Sequence, residues 1–291
     1  MNHRPSSPIG NQEGFTLLEI AVVMIIIGIL AGGGVSLMKI LTERKARTAT
    51  VEHLQQARSA LISFTVHNGR LPWADSDGDG LENTGVASGN LPYLTLAIAP
   101  ADAYKRTLRY ALNTNLAANR FAGCKALRTG LAGAPRVVDA DGSGTAFAVA
   151  AVLVSAGPMD ADGNGNVFDA LAAGSHRGNN ASGTPNFLRH PPVAAFDDLA
   201  VYIGANELSA ELCEYLALAV NNNGGSTVHL YDVNQGVDIG SIANSASGLF
   251  DIASGSRVEL RSGSGGGGSI VASTPPTPIT LAGRGATLNL P

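Results

Sequence analysis

Glu13-Gly14-Phe15-Thr16-Leu17-Leu18-Glu19 opens the stretch that decides the fold, and an apolar run follows it at once. From Ile20 to Met38 no side chain is charged, and Lys39 closes the run. As a helix, these residues rise about 28 Å, close to the roughly 30 Å of a bilayer's hydrocarbon core. A carboxylate at the edge of such a run is costly in lipid, so Glu19 needs a specific partner. An ordinary secretory signal is built differently, with a basic start, a shorter apolar stretch and a small-residue cleavage site after it. Here the polar leader holds only Arg4 as a basic residue, and the small residue Gly14 precedes the apolar run. Cleavage at Gly14 leaves the apolar segment on the mature chain.

On the residues Gly14, Phe15, Thr16, Leu17, Leu18 and Glu19 the chain resembles the type IV pilin and type II secretion pseudopilin superfamily. The resemblance is confined to about the first 55 residues. It implies that a prepilin peptidase cuts between Gly14 and Phe15 and methylates the new amine. It further implies that the subunit rests in the inner membrane with its head in the periplasm. An inner-membrane assembly platform then packs it with other subunits into a filament. Glu19 would neutralise the N-terminal amine of a neighbouring subunit, since an opposite charge lets a carboxylate persist in an apolar core. A plain signal anchor shares the apolar run but not the motif before it. Two departures stand out: the leader is 14 residues, and Ser36 occupies a position where many relatives carry a helix-kinking proline. Gly32-Gly33-Gly34, just before it, costs helix stability by roughly 1 kcal/mol per glycine. The triplet suits either local melting on assembly or close packing of helices.

Beyond Lys39 the helical period continues through Val51, Leu54, Ala57, Leu61 and Phe64, with polar residues between them. No proline interrupts residues 15–68, and Asn68-Gly69 is a stop signal. The domain plan is therefore a leader over 1–14, a membrane and filament-core helix over 15–38 and its amphipathic continuation over 39–68. A head domain over 69–261 and a Gly/Ser/Pro-rich tail over 262–291 complete it. Lys39, Arg44, Lys45 and Arg47 face either lipid headgroups or acids of neighbouring subunits.

The head reads as short strands separated by Gly, Asn and Asp, with no helical period before residue 197. Strand candidates are 108–112, 146–155, 227–232 and 257–261, and Ser209-Ala210-Glu211-Leu212 starts like a helix. Aromatic residues make up 5% and glycine numbers 36, which favours a loop-rich head over a compact enzyme. The expected fold is α+β and pilin-like: a long N-terminal helix packed on an antiparallel β head. The run 262–278 reads as a flexible linker, and the end of the chain as an edge strand or a loose tail.

Three segments share Asp-x-Asp-Gly-x-Gly, beginning at Asp75, Asp139 and Asp160. Oxygens at alternate positions, with glycines permitting a tight turn, suit the oxygen shell of Ca²⁺. None is an EF-hand, because the twelfth positions are Val86, Ala150 and Leu171. The expected ligands are Asp160, Asp162 and Asn164 with Asp197 and Asp198 from elsewhere, and secondarily Asp75, Asp77 and Asp79. The segment at Asp139 reads as a plain hairpin turn, the chemistry that Asp, Asn and Gly also serve without metal. Leu91-Pro92-Tyr93, Asp102-Ala103-Tyr104, Ser155-Ala156-Gly157 and Phe196-Asp197-Asp198-Leu199 give the head a looser resemblance to calcium-binding heads of major pseudopilins.

The only cysteines are Cys124 and Cys213; an exported head in an oxidising compartment is expected to pair them, the alternative being two buried free thiols. Catalytic signatures are missing: the six histidines show no metal-ligand spacing, and no nucleophile motif or phosphate loop occurs. Removing the leader removes Arg4 and Glu13, so the net charge stays at −4, which argues against broad nucleic-acid binding. The sequence thus points to a structural filament subunit. The alternative is a minor, tip-located subunit whose large head binds a surface, DNA or an exported substrate.

Overall fold

The computed structural model describes residues 14, 16–140, 144–172, 176–182, 186–273 and 286–290. Phe15 lies outside them, as do most of the leader and Asp141. The fold is α+β: helix α1 (Leu17–Asn68) precedes a β-rich head. The chain divides into two compact units, 1–48 and 49–291.

In the first unit α1 begins with a cap. The Thr16 hydroxyl accepts the Glu19 N–H at 3.2 Å, satisfying a donor that the first turn leaves without a partner. Ile25, Ile26 and Ile27 are consecutive, so on a helix they point in three directions about 100° apart. Each is at least half exposed (63%, 50% and 54%), so the surface is apolar all round rather than along one stripe. Among the described residues no helix is long and apolar enough to cross a membrane. Side chains 31, 33, 34 and 36, which lie within the uncharged run, are outside that description.

In the second unit the end of α1 buries Leu54, Ala57 and Leu61, as the period predicts, while Val51 stays exposed. The head continues through β1 (Ser88–Asn90), β2 (Arg109–Leu112), α2 (Arg120–Thr129), β3 (Arg136–Asp139), β4 (Ala146–Ala148) and β5 (Ala151–Ser155). Then come β6 (Ala170–Leu171), β7 (Gly178–Asn179), β8 (Phe187–Arg189), β9 (Leu199–Ile203) and α3 (Ala205–Leu212). Strands β1-β2-β5-β9 form an antiparallel sheet. Its β5 is buried at all five residues, because the sheet is covered on both faces. Tyr110, Leu112 and Leu153 pack with α1, α2 and α3, whereas Val152 and Val154 pack with Val137 and Phe187 of β3 and β8. Buried Tyr110 donates its hydroxyl to the Pro72 carbonyl at 3.0 Å.

The expected strand 146–155 is two strands. Val149 donates to the Pro135 carbonyl and Ala150 to that of Ile203, so the chain passes between sheets there. Helix α2 was not expected, although Asn119 caps it by accepting the Ala122 N–H at 3.0 Å. Helix α3 runs from Ala205 to Leu212, so it starts four residues before Ser209, where a helix was expected to start. Its onset at Ala205 follows Gly204, which offers no side-chain cap to read.

A second core follows. Strands β10 (Tyr215–Asn222), β11 (Val228–Asp232), β12 (Val237–Ile242), β13 (Ala246–Ala253), β14 (Val258–Arg261), β15 (Ile270–Ser273) and β16 (Ala286–Leu290) build two sheets. Their orders are β13-β10-β16 and β12-β11-β14-β15. Alternate residues Leu216, Leu218 and Val220 of β10 meet Val228, Leu230, Val258 and Leu260 in one hydrophobic cluster. Of the run 262–278 expected to be a linker, residues 262–269 are instead the turn of the β14–β15 hairpin, and 274–278 lie outside the described residues. Gly265 donates its N–H to Asp238 at 2.6 Å, and the Arg261 guanidinium donates to the Gly266 carbonyl. The last strand, β16, pairs in parallel with β10. Parallel pairing also joins β3 to β8, so the head is not wholly antiparallel.

Cys124 of α2 and Cys213, just past α3, form a disulfide, the pairing expected of the two cysteines. Closing a loop across 89 positions constrains the unfolded chain by roughly 4.6 kcal/mol in the chain-entropy treatment. The Cys124→Ser/Cys213→Ser variant should lose a stability of about that size in denaturant titration, and reductant should then leave its midpoint unchanged.

Arg70 holds Glu82 with two hydrogen bonds of 2.8 and 2.7 Å, and Glu82 also accepts the Trp73 N–H. The Arg70 guanidinium, aided by that N–H and opposed by burial, keeps the Glu82 carboxyl below its ordinary 4.5. A depressed carboxyl contributes stability above its ordinary value and loses it as pH falls through the folded value. The thermal midpoint of Glu82→Gln should therefore fall below the parent's by most near neutrality. The gap should close as the pH falls below 4.5.

Candidate functional site

Two regions carry chemistry, and each lies within one unit. At the N-terminus the described geometry is the capped start of α1. Thr16 and Glu19 stand three apart, so the pattern Thr-x-x-Glu doubles as a helix-start signature. Glu19 sits in the first turn, where the helix dipole favours negative charge, and is exposed.

The second region is built by strand register. Strand β5 pairs antiparallel with β9, Ser155 opposite Leu199, so what leaves β5 lies beside what enters β9. Ser155 donates its hydroxyl to buried Asp102 at 2.5 Å, and Arg106 donates to the carbonyls of Ala156 and Pro158, both at 3.0 Å. The chain beyond β5 is thereby held as it turns at Gly157. That glycine has φ +60°, and a Cβ there would sit 2.3 Å from Asp197 Oδ1.

The loop that follows is organised by Asp160. Its Oδ1 accepts N–H groups of Gly163 and Asn164, and its Oδ2 accepts that of Gly165. Asp75 does the same in the first loop, accepting from Gly78 and Gly80. The two loops therefore share one construction. Asp75, Asp77 and Asp79 each bring a carboxylate oxygen within 4.8 Å of the others. In the second segment Asp139 is instead tied to Arg189 by two bonds of 2.8 and 2.6 Å, and residues 141–143 of that segment lie outside the described ones.

The five expected ligands of the third segment do not form one group. Asp160 and Asp162 cluster with Asp169, and Asp197 and Asp198 cluster separately, also with Asp169. Asn164 faces neither set with a free oxygen: its Oδ1 accepts from Asn166, and its amide donates to Asp162. The fully buried Asp169 is the residue that sequence reasoning missed. The signal was present, because an acid closes the segment at its tenth position rather than at the twelfth of an EF-hand. Asn180, also fully buried, was missed too. It donates to Asp198 at 2.9 Å and exchanges bonds with the Leu188 backbone.

Asp198 is 1% exposed, and its Oδ2 accepts from Asn180 and from the Asp169 N–H. Its Oδ1 is buried without a hydrogen-bond partner among the described residues. Burial, with the charges of Asp169 and Asp197 adding, pushes its carboxyl up to about 8. Among the described residues, the ion pairs of Arg58, Arg70, Arg189, Arg257 and Arg261 go to other acids, namely Glu207, Glu82, Asp139 and Glu259. A buried all-oxygen group with a spare carboxylate oxygen and no ion pair to Asp169 or Asp198 fits a hard divalent cation.

Residues 9–35 match the family described as the prokaryotic N-terminal methylation motif. The chain carries a prepilin-type signal. This is the signal of type IV pilins and pseudopilins, and it covers Gly14, Thr16 and Glu19. No curated protein and no solved structure matches the chain.

Gly157 and Gly163 both have positive φ, but only Gly157 would press a Cβ on a neighbour. Gly157→Ala should lower the thermal midpoint clearly more than Gly163→Ala, whose cost is backbone strain alone, of order 1 kcal/mol.

Proposed function

We propose that the chain is a structural subunit of a type IV pilus or a type II secretion pseudopilus. The observation that carries this reading is the methylation motif leading into a helix with an apolar surface all round. Such a surface is stable only against lipid or other apolar helices. Prepilin peptidase cuts between Gly14 and Phe15 and methylates the Phe15 amine. The uncharged run Ile20–Met38 anchors the mature chain in the inner membrane with its head in the periplasm. The assembly platform then moves it into a filament, where lipid contacts are exchanged for contacts with other subunits. Glu19, apolar on either side and near the new amine, neutralises a neighbour's N-terminus and so sets register. The head's acidic loops take Ca²⁺, which closes the Asp75 and Asp160 turns.

One observation favours a second reading, a minor subunit at the filament tip. The head carries a second core, the two sheets β10–β16, beyond the sheet that packs on α1. A tip subunit has the room to carry such an addition as a binding module. Gold labelling separates the two, since a major subunit marks the whole filament and a minor one only its end.

Glu19→Ala should abolish filaments while the processed protein still fractionates with membranes. Normal filaments from that variant would refute the register role. Mass spectrometry of the mature N-terminus should give methylated Phe15. An unmethylated start elsewhere would overturn the processing step.

A further inference from the structure

Asp169 is shared between two groups of acids, and its two oxygens are turned to different sides. Oδ1 accepts the N–H groups of Ala161 and Asp162 in the Asp160 loop. Oδ2 accepts the N–H of Asp197 at 2.7 Å, at the entry to β9. On the first side, ligand oxygens of Asp160, Asp162 and Asp169 lie within 4.8 Å of one another, and on the second those of Asp169, Asp197 and Asp198 do. Ca²⁺ holds oxygens at about 2.3–2.6 Å, so two ligands of one ion stand at most about 5 Å apart. Each group meets that limit separately.

Asp198 supplies an independent sign that something is bound on the inner side. It is 1% exposed, and its Oδ1 has no partner among the described residues. A buried carboxylate oxygen left unpaired carries the full cost of desolvation, and native proteins rarely leave it so. Charge counting points the same way. When ionised, Asp160, Asp162, Asp169, Asp197 and Asp198 carry −5 together. One divalent cation leaves −3 in a half-buried to buried site, whereas two leave −1.

We propose that Asp169 bridges two divalent-cation positions. The outer one lies against Asp160 and Asp162. The inner, buried one is held by Asp169, Asp197 and Asp198. The ligand class is a hard cation of the size of Ca²⁺, because every side-chain donor is a carboxylate. The inference rests on the reading that the head takes Ca²⁺, and it adds the bridging residue and the second position. A bridging carboxylate couples the two positions: the ion at one side orients Asp169 for the other, so occupancy of the loop favours occupancy of the interior.

The experiment is calcium titration by calorimetry on the full processed chain in detergent micelles, after chelator and exhaustive dialysis. Asp160→Asn and Asp198→Asn should each remove one equivalent, and Asp169→Asn two, while Asp77→Asn removes a different equivalent at the Asp75 loop. Equal losses of one equivalent for Asp169→Asn and Asp198→Asn would overturn the bridge, as would a silent Asp160→Asn. If the parent binds calcium but Asp77→Asn removes all of it, the bridged pair is wrong and the calcium reading survives. If the parent binds none, both fall. Should Asp169→Asn not fold in calcium-free buffer, the Asp160→Asn/Asp198→Asn double variant decides, with two equivalents lost supporting the pair and one overturning it.

Discussion

The antiparallel pairing of β5 with β9 is the constraint on which the head depends. Its register, Ser155 opposite Leu199, brings the exit of one strand beside the entry of the other. A shift by one residue would turn every side chain of β5 to the opposite face. Because β5 is buried on both faces, between α1 with Tyr110 and the β3–β8 layer, no other register satisfies both cores. The acids at 197 and 198 are thus delivered to the Asp160 loop by packing far larger than any attraction between them. Like charges that repel can be held together only by a scaffold with stability to spare.

The same chain solves two different burial problems. In the second unit α1 buries one stripe, Leu54, Ala57 and Leu61, under the sheet. In the first unit the described apolar side chains from Leu17 to Leu41 point in every direction and are exposed. Intramolecular packing therefore completes the head core and leaves the apolar surface of the N-terminal helix uncovered among the described residues. Thr16 matters in this setting because its cap starts the helix without help from a neighbour.

Patterns with a short physical range were legible in the sequence. The motif at Gly14–Glu19, the period of α1, the cysteine pair and the strands at 109–112, 228–232 and 258–261 all follow from local spacing or composition. Features set by distant partners were not. Val149 and Ala150 look like strand, yet they switch sheets because Pro135 and Ile203 claim their N–H groups. Helix α3 begins after a glycine without a capping side chain, so its start left no local mark. The Gly/Ser run near 265 looked unstructured because its partners, Asp238 and Arg261, lie outside it. Asp169 was passed over because the EF-hand template puts its closing acid two positions later.

The head's acids show how one residue type serves three ends according to its partners. Glu82 and Asp139 meet arginines and become ion pairs. Asp75 meets backbone N–H groups of its own loop and, though fully buried, has both oxygens satisfied. Asp198 meets Asn180 and one N–H, which leaves an oxygen over. Composition cannot separate these cases, since all are Asp or Glu in loops or at strand ends. Only the tally of donors around each carboxylate does so. Of Glu82, Asp139, Asp75 and Asp198, that tally leaves only Asp198 with a buried oxygen that has no hydrogen-bond partner among the described residues.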